Sequence, residues 1–139
     1  MLKVADEFIV IDSGSTDATL QICQQFGLTV HYHAYTTHGS QMNYATSLAS
    51  HDWVLCMDSD EILDDEVVAA ILALKAGDEP DPTCAWRLPR YWFVLGEEVR
   101  TIYPVSSPDF PVRLYNRSAA RFNERPVDDQ VVGFSHSAR

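Results

Sequence analysis

The sequence of 139 residues predicts an α/β fold in which a mixed sheet is flanked by helices. Short β-branched apolar runs alternate with segments of helical periodicity through residue 83, and strand-like pieces follow. Apolar residues make up 46% of the chain and charged residues 22%, as in a globular domain. We expect a single domain over residues 1–139, with one half spanning 1–83 and the other 84–139.

The first half has the predicted order strand, helix, strand, helix, strand, helix. The continuous apolar runs predict strands that are covered on both faces, and Ser15 or Thr16 is the predicted N-cap of the first helix. Asp64 opens the third helix, for which we predict a core stripe of Val67, Ala70, Ile71 and Leu74. The predicted strands cover residues 8–11, 28–33 and 53–57, and the second helix covers 40–49.

The second half is predicted to be irregular and rich in β-structure. Phe110, Val112 and Leu114 alternate with Arg113 and Tyr115, which predicts a half-buried strand. Prolines in this half are expected to confine its strands to edges or bends, because proline lacks the N–H that a central strand donates.

The net charge of −10 excludes nonspecific nucleic-acid binding, which needs a basic surface. Residues 1–86 carry a net charge of −12 and residues 87–139 a net charge of +2. Three unpaired cysteines favour a reducing compartment, and no apolar run reaches the length of a membrane span. We also expect no signal peptide, since Asp6 and Glu7 interrupt the N-terminus. The expected location is the cytoplasm.

Acidic clusters follow two of the predicted strands, at Asp12 and at Asp58-Ser59-Asp60. Ligands of open α/β sheets bind beyond the carboxyl ends of the strands. Carboxylates one residue apart could hold a divalent cation that bridges the oxygens of a diphosphate. An equally open interpretation is that these residues turn the chain and cap the next helix.

Several segments carry a resemblance to a known family. Residues 10–17 read Val-Ile-Asp-Ser-Gly-Ser-Thr-Asp, and Gln41, Asn43 and Thr46 follow. Residues 52–61 read Asp-Trp-Val-Leu-Cys-Met-Asp-Ser-Asp-Glu, and residues 108–115 and 121–127 continue the pattern. Together they resemble the family 2 glycosyltransferases of GT-A fold, most of all the bacterial group that adds sugars to lipopolysaccharide core or other cell-envelope acceptors.

The resemblance implies a transferase that uses a nucleotide-sugar, expected to be a UDP-sugar, with Mg²⁺ or Mn²⁺ and with inversion at the sugar carbon. A glycan or lipid is the implied acceptor, and peripheral contact with the inner face of the cytoplasmic membrane is expected. The resemblance also implies that Asp58 and Asp60 form the metal site. We predict Asp109 as the catalytic base, because it begins a strand well after Asp60 among aromatic and arginine residues, although it could instead only end the Ser-Pro turn before it. The implied substrate-binding residues are Asp12, Ser13, Gln41, Asn43, Asp58 and Arg113. Arg87 and Arg90 are further candidates for pairing with a donor diphosphate or an acceptor phosphate.

The sequence departs from the family pattern at several points. Ser13 stands where a second acid is common, and Asp128-Asp129 stand where a His-Glu pair often follows Val127. The chain begins after the family's first strand, so we expect an exposed sheet edge that invites a homodimer. The alternative function is a catalytically idle module that acts in assembly or binding.

Other classes fit the residues less well. An aspartic protease would explain Asp12-Ser13-Gly14 but belongs to a nearly all-β class. An aspartyl-phosphate phosphohydrolase would explain Asp58 and Asp60, yet Glu61 stands where a small residue is expected. We expect the neighbouring histidines His31, His33 and His38 to be solvated or core side chains rather than metal ligands.

Overall fold

The structure is a computed structural model that describes residues 4–102 and 105–139. Within these residues, three helices and twelve short strands give the α/β class that the sequence predicts. The helices are α1 (Thr19–Gln25), α2 (His38–Leu48) and α3 (Asp65–Ala76). The strands are β1 (Val10–Asp12), β2 (Val30–Tyr32), β3 (Trp53–Leu55), β4 (Cys84–Arg87), β5 (Trp92–Val94), β6 (Glu97–Val99), β7 (Thr101–Ile102), β8 (Val105–Ser106), β9 (Val112–Asn116), β10 (Arg121–Phe122), β11 (Val131–Val132) and β12 (His136–Ala138).

A four-stranded mixed sheet with the order β12-β4-β9-β3 forms the centre of the molecule. Strand β9 runs antiparallel to β3 and β4, and β12 runs parallel to β4. All five residues of β9 are buried, so the prediction of a half-buried strand here was wrong. The reason is that β9 has a partner strand on each side and is covered on both faces, so that the polar Arg113 is buried together with Val112.

The core lies between this sheet and α2. Tyr115 is fully buried, and its hydroxyl lies 3.3 Å from both the Thr46 Oγ1 and the Cys56 Sγ atoms. Burial is the main reason that the pKa of Tyr115 is raised. These contacts fix α2 against the sheet and therefore fix the position of its first turn.

Strands β1 and β2 form a separate parallel pair. In the described part of the chain, β1 pairs only with β2, and β3 pairs only with β9, so each of β1 and β3 has one edge without a strand. The start of β1 is tied to the rest of the molecule by Ser50, whose N–H and hydroxyl donate to Glu7, and by an ion pair between Lys75 and Asp6.

The helix starts correct the sequence prediction in two places. Helix α1 begins after Ala18 with no side-chain cap, so the predicted caps Ser15 and Thr16 were wrong; the Ser15 hydroxyl donates to Asp12 instead. Helix α2 begins at His38, two residues earlier than predicted, because Thr37 caps it by accepting from the Ser40 N–H.

Helix α3 begins where predicted, with Asp64 accepting from the Val67 N–H at 2.7 Å. Of its predicted core stripe, Ile71 is buried, whereas Ala70 is exposed and was wrongly included. Among the residues that the structure describes, we find no helix with the length and apolar character needed to span a membrane.

Candidate functional site

The first turn of α2 brings the two acidic strand ends to one place. The His38 side chain contacts Asp58, which follows β3, and the Gln41 side chain contacts Ser13, which follows β1. Residues three apart on a helix lie on the same face, so these two contacts are neighbours. The residues that follow β1 and β3 therefore both contact the first turn of α2.

The Asp12 carboxylate is surrounded by neutral donors. It accepts from the N–H groups of Gly14 at 2.7 Å and Ser15 at 3.0 Å, and also from the Ser15 hydroxyl. These bonds, with the hydroxyl bond as the largest cause, hold the pKa of Asp12 below its ordinary value. Asp12 therefore stays ionised while it shapes the turn after β1.

Gln41 connects this turn to α2. Its amide nitrogen donates to the Ser13 hydroxyl at 2.5 Å and to the His33 carbonyl at 3.2 Å. Its amide oxygen contacts the His33 ring, which stacks on Tyr44 with ring centroids 4.1 Å apart. Ser13 and Gln41, both predicted to bind substrate, thus lie together beside Asp12.

The Asp58 carboxylate, in contrast, lies between two cationic groups. One oxygen lies 2.8 Å from His38 Nε2, and the other lies 2.8 Å from Arg113 Nη2. Arg113 also pairs with Glu61, and its side chain is only 6% exposed. Burial alone would raise the pKa of Asp58, but the charge of Arg113 and the bond to His38 outweigh burial and lower it.

His38 forms a bridge between two carboxylates. Its second ring nitrogen, Nδ1, lies 2.7 Å from Asp129 Oδ2. A ring with an ionised carboxylate at each nitrogen must donate from both, which only the imidazolium can do. Burial opposes this charge, yet the bonds to Asp129 and Asp58 outweigh burial and raise the pKa of His38.

Asp109, the predicted base, lies in a fork of Arg90. Their two contacts measure 3.0 Å at Arg90 Nε and 2.5 Å at Nη2, and the Trp92 indole donates to Asp109 at 3.3 Å. Burial acts to raise the pKa of Asp109, but Arg90 outweighs it and lowers the pKa. Asp109 is therefore ionised at neutral pH.

A cleft of about 580 Å³ joins the groups around Asp58 and Asp109, whereas Asp12, Ser13 and Gln41 are not among the described residues that line it. Its polar side chains come from the start of α2, the segment after β3, the end of β4 and the segment after it, the strand β9 with the segment before it, and the loop before β11. They are His38, Asp58, Arg87, Arg90, Asp109, Arg113, Asp128, Asp129 and Gln130. Of the other predicted site residues, Asp60 is exposed. The Asn43 amide donates to the Phe122 carbonyl and accepts from the Phe122 N–H, each at 3.0 Å. Asn43 lies on a different surface from the cleft.

Comparison with known proteins decides the family. Residues 3–135 match the family model described as Glycosyl transferase family 2. The chain belongs to glycosyltransferase family 2. An uncharacterized glycosyltransferase of Rickettsia typhi is 30% identical over 121 residues, which are 86% of this chain and 40% of the relative. An uncharacterized glycosyltransferase of Rickettsia felis is also 30% identical, over 120 residues, which are 86% of this chain and 42% of that protein.

A further relative of this family 2 chain has a named role. The lipopolysaccharide core biosynthesis glycosyltransferase LpsC of Rhizobium meliloti is 27% identical over 100 residues, which are 68% of this chain and 36% of LpsC. The match thus spans less than half the length of each of these relatives.

The metal that the resemblance implies for family 2 does not fit the site as it is arranged. Both oxygens of Asp58 are engaged by His38 and Arg113, and Asp60 is exposed. Over residues 4–102 and 105–139, no three His, Cys, Asp or Glu side chains converge as a metal site would need. A divalent cation at Asp58 would have to displace one of its two cationic partners.

Two residues of the site were not identified from the sequence. His38 was expected to be solvated or in the core, and Asp129 was noted only as a departure from the family pattern. His38 lies three residues before Gln41, and that spacing on a helix places both side chains on one face. The spacing is the signal that could have identified His38, whereas the contact with Asp129 spans 91 residues and leaves no local signal.

Proposed function

We propose that this chain forms the catalytic region of an enzyme that transfers a sugar from a nucleotide-sugar, a UDP-sugar, to a glycan or lipid of the cell envelope, with inversion. The observation that carries the proposal is the junction of the two acidic strand ends at the first turn of α2. The role named for LpsC supports the choice of acceptor class.

In this proposal the donor lies across that turn. The nucleoside contacts Asp12, Ser13 and Gln41, whose hydrogen bonds form one connected group. The diphosphate then extends toward His38 and Arg113, which carry the nearest positive charges to Asp58. Fixed cations at this point would stabilise the negative charge that develops on the leaving diphosphate.

The acceptor reacts in the cleft. Its hydroxyl oxygen forms a bond to the anomeric carbon while the bond from that carbon to the diphosphate breaks, and the hydroxyl proton passes to a carboxylate. Asp109 is the proposed base, because it lines the cleft and is ionised. Arg90 would hold the carboxylate in place for this step.

Calorimetric titration with UDP and with UDP-glucose tests the donor site. We expect binding to the wild-type protein and at least a tenfold weaker affinity for Asp12→Ala, with Asp78→Ala in an exposed loop as the matched control. A folded sample that binds neither compound would contradict the proposal. The titration is repeated once with Mn²⁺ and once with EDTA. Equal UDP-sugar affinities in the two series would mean that donor binding does not need the metal that the family resemblance implies.

The base is tested separately by turnover. Asp109→Asn is expected to lower kcat by a factor of about 10² to 10⁴ and to leave UDP affinity unchanged, because general base catalysis contributes about that much. Asp129→Asn is the comparison within the same cleft. A larger loss of kcat in Asp129→Asn than in Asp109→Asn would reassign the base.

We also propose a location in the cytoplasm, at the inner face of the cytoplasmic membrane, where an envelope lipid acceptor would be found. Co-flotation with phosphatidylglycerol vesicles tests this contact. Equal recovery with and without vesicles would count against it.

Assembly is the second candidate function. It is favoured by the edges of β1 and β3 that have no partner strand among the residues that the structure describes. An exposed strand edge is a template for pairing with another chain, here a second copy. Sedimentation equilibrium separates the two candidates: a tight dimer without turnover favours assembly, and an active monomer excludes it.

A further inference from the structure

The three arginines of the cleft differ in what neutralises them. Arg90 pairs with Asp109 and Glu61, and Arg113 pairs with Asp58 and Glu61. In the described part of the chain, no carboxylate lies within 4.0 Å of the Arg87 guanidinium. An arginine without a counter-ion in a cleft of a protein with net charge −10 needs an explanation.

Arg87 is nevertheless held in place. Its Nε donates to the Ser137 hydroxyl at 3.2 Å, and its Nη1 donates to the Phe110 carbonyl at 3.0 Å. Both acceptors are neutral, so the full positive charge of the side chain remains. A guanidinium has five N–H donors, and these two bonds leave three of them for a ligand.

A second arginine lies beside it. The Arg139 guanidinium sits over the Phe110 ring, 4.3 Å from the centroid, and forms no ion pair with the side chain of another described residue. The parallel register of β12 and β4 pairs Ala138 with Trp86, so Arg139 and Arg87 follow at adjacent positions of neighbouring strands. Two guanidinium groups thus lie beside Phe110, and of these two arginines it is Arg87 that lines the cleft.

The position of this pair separates it from the proposed donor. Strand β4, which ends at Arg87, lies two strands away from β3 in the central sheet, which is about 10 Å at the usual strand spacing. Arg87 lines the cleft together with Asp109, the proposed base, whereas the groups proposed to hold the nucleoside, Asp12, Ser13 and Gln41, are not among the described residues that line it. Arg87 therefore lies toward the end of the cleft that the acceptor would occupy.

From these observations we propose that Arg87 forms a subsite for an oxyanion group, a phosphate or a carboxylate, carried by the acceptor. The inference rests on the proposed function, since it names the chemical class of that acceptor. Arginine suits this task because its planar donors match two oxygens of a phosphate or a carboxylate. A bound anion would balance the positive charge of the Arg87 guanidinium, which has no carboxylate within 4.0 Å among the described residues.

Titration by calorimetry or NMR with glucose 6-phosphate, glucuronate and neutral glucose tests the subsite. We expect at least one of the charged compounds to bind at least tenfold tighter than glucose to the wild-type protein, and the comparison of the two separates phosphate from carboxylate. Arg87→Gln is expected to remove this advantage. Arg121→Gln, which removes an exposed arginine outside the cleft, is expected to keep it.

UDP affinity is measured in the same samples, so that the proposal for the Arg87 subsite and the proposal for the donor site are tested independently. Tight UDP binding with no advantage of the charged compounds over glucose would overturn the subsite alone. Equal losses in Arg87→Gln and Arg121→Gln would also overturn it, because they would indicate a general charge effect. A loss of UDP affinity in Arg87→Gln would assign this arginine to the donor and overturn the proposal. An anion preference that depends on Arg87 in a protein that does not bind UDP would support the subsite and contradict the proposed donor.

Discussion

The two acidic strand ends look alike in the sequence but are stabilised in different ways. After β1, Asp12 is followed by Ser13, and after β3, Asp58 is followed by Ser59. Yet Asp12 accepts hydrogen bonds from neutral groups, whereas Asp58 lies between the cations of His38 and Arg113. The same short pattern thus leads to a carboxylate bound by neutral donors in one place and to an ion-pair network in the other.

The difference follows from where the partners come from. Gly14 and Ser15 are two and three residues from Asp12, so the turn forms locally. Arg113 is 55 residues from Asp58 and is brought there only when β9 pairs with β3. Losing Arg113 should therefore cost more than losing one neutral donor of Asp12, because it leaves the half-buried Asp58 and the mostly buried Glu61 without their shared cation.

The largest expected effect is that of Arg113→Met. This change leaves Asp58 and the mostly buried Glu61 without their shared cation. Breaking a buried ion pair from one side costs about 3 to 5 kcal/mol, and we expect a loss near the lower end because Asp58 is 31% exposed. Chemical denaturation measures the free energy of unfolding.

Arg121→Met is the control for this prediction, since Arg121 is exposed and forms no ion pair with a described residue. Its expected effect lies within about 0.5 kcal/mol. If both variants unfolded at the same denaturant concentration, the network around Asp58 would not have the stabilising role assigned to it.

The same contrast explains what could be predicted from the sequence. The cap at Asp64 and the strand ends at Asp12 and Asp58 depend on neighbouring residues, and their chemistry is readable in a short window. The burial of β9 and of Arg113 depends on which strands become its neighbours, so alternation of residue types gave the wrong burial. The role of His38 depends on Asp129, which no local pattern connects to it.

Gly39→Ala is expected to have the next largest effect, because it acts on the turn that joins the two clusters. Gly39 is buried, and a Cβ atom there would overlap the backbone carbonyl of Asn123. The turn with His38 and Gln41 would have to move, and overpacking of this kind costs about 1 to 3 kcal/mol. Thermal unfolding and UDP titration measure the two consequences.

Gly77→Ala is the matched control, because Gly77 has a negative φ of −85° and a Cβ would make only ordinary contacts at 3.6 Å. We expect that variant to be neutral or slightly stabilised. Equal destabilisation by the two changes would mean that the close approach of α2 to Asn123 is not a constraint.

Gln41→Ala should affect the Asp12 side alone. It removes the amide that links Ser13 to His33, at a cost of about 0.5 to 1.5 kcal/mol for neutral hydrogen bonds. Because the Gln41 amide binds the uncharged Ser13 hydroxyl and His33 carbonyl, the loss should be the same at low and high NaCl concentration. Gln21→Ala, at an exposed site on α1, is the control, and a strongly salt-dependent loss in Gln41→Ala would contradict the distinction between the clusters.

The smallest expected effect, and the most dependent on pH, is that of His38→Gln. The pKa of His38 is raised in the folded protein above its ordinary value of 6.5, so its contribution to stability is complete below pH 6.5 and is lost as the pH rises through the folded value. The pKa of Asp58 is lowered from 3.8, so its contribution is present above pH 3.8 and is lost in acid. The difference between wild type and variant should therefore be greatest between pH 3.8 and 6.5.

We expect that difference to stay under about 1 kcal/mol, since His38 and Asp58 are each about one-third exposed. Melting temperatures measured across pH 3 to 9 give the profile, and His51→Gln at an exposed position is the control. A difference that grew with rising pH would mean that His38 is neutral in the folded protein. The bridge from Asp58 to Asp129 would then contain no imidazolium. Arg113 would be the cation that distinguishes the Asp58 cluster from Asp12, whose donors are neutral.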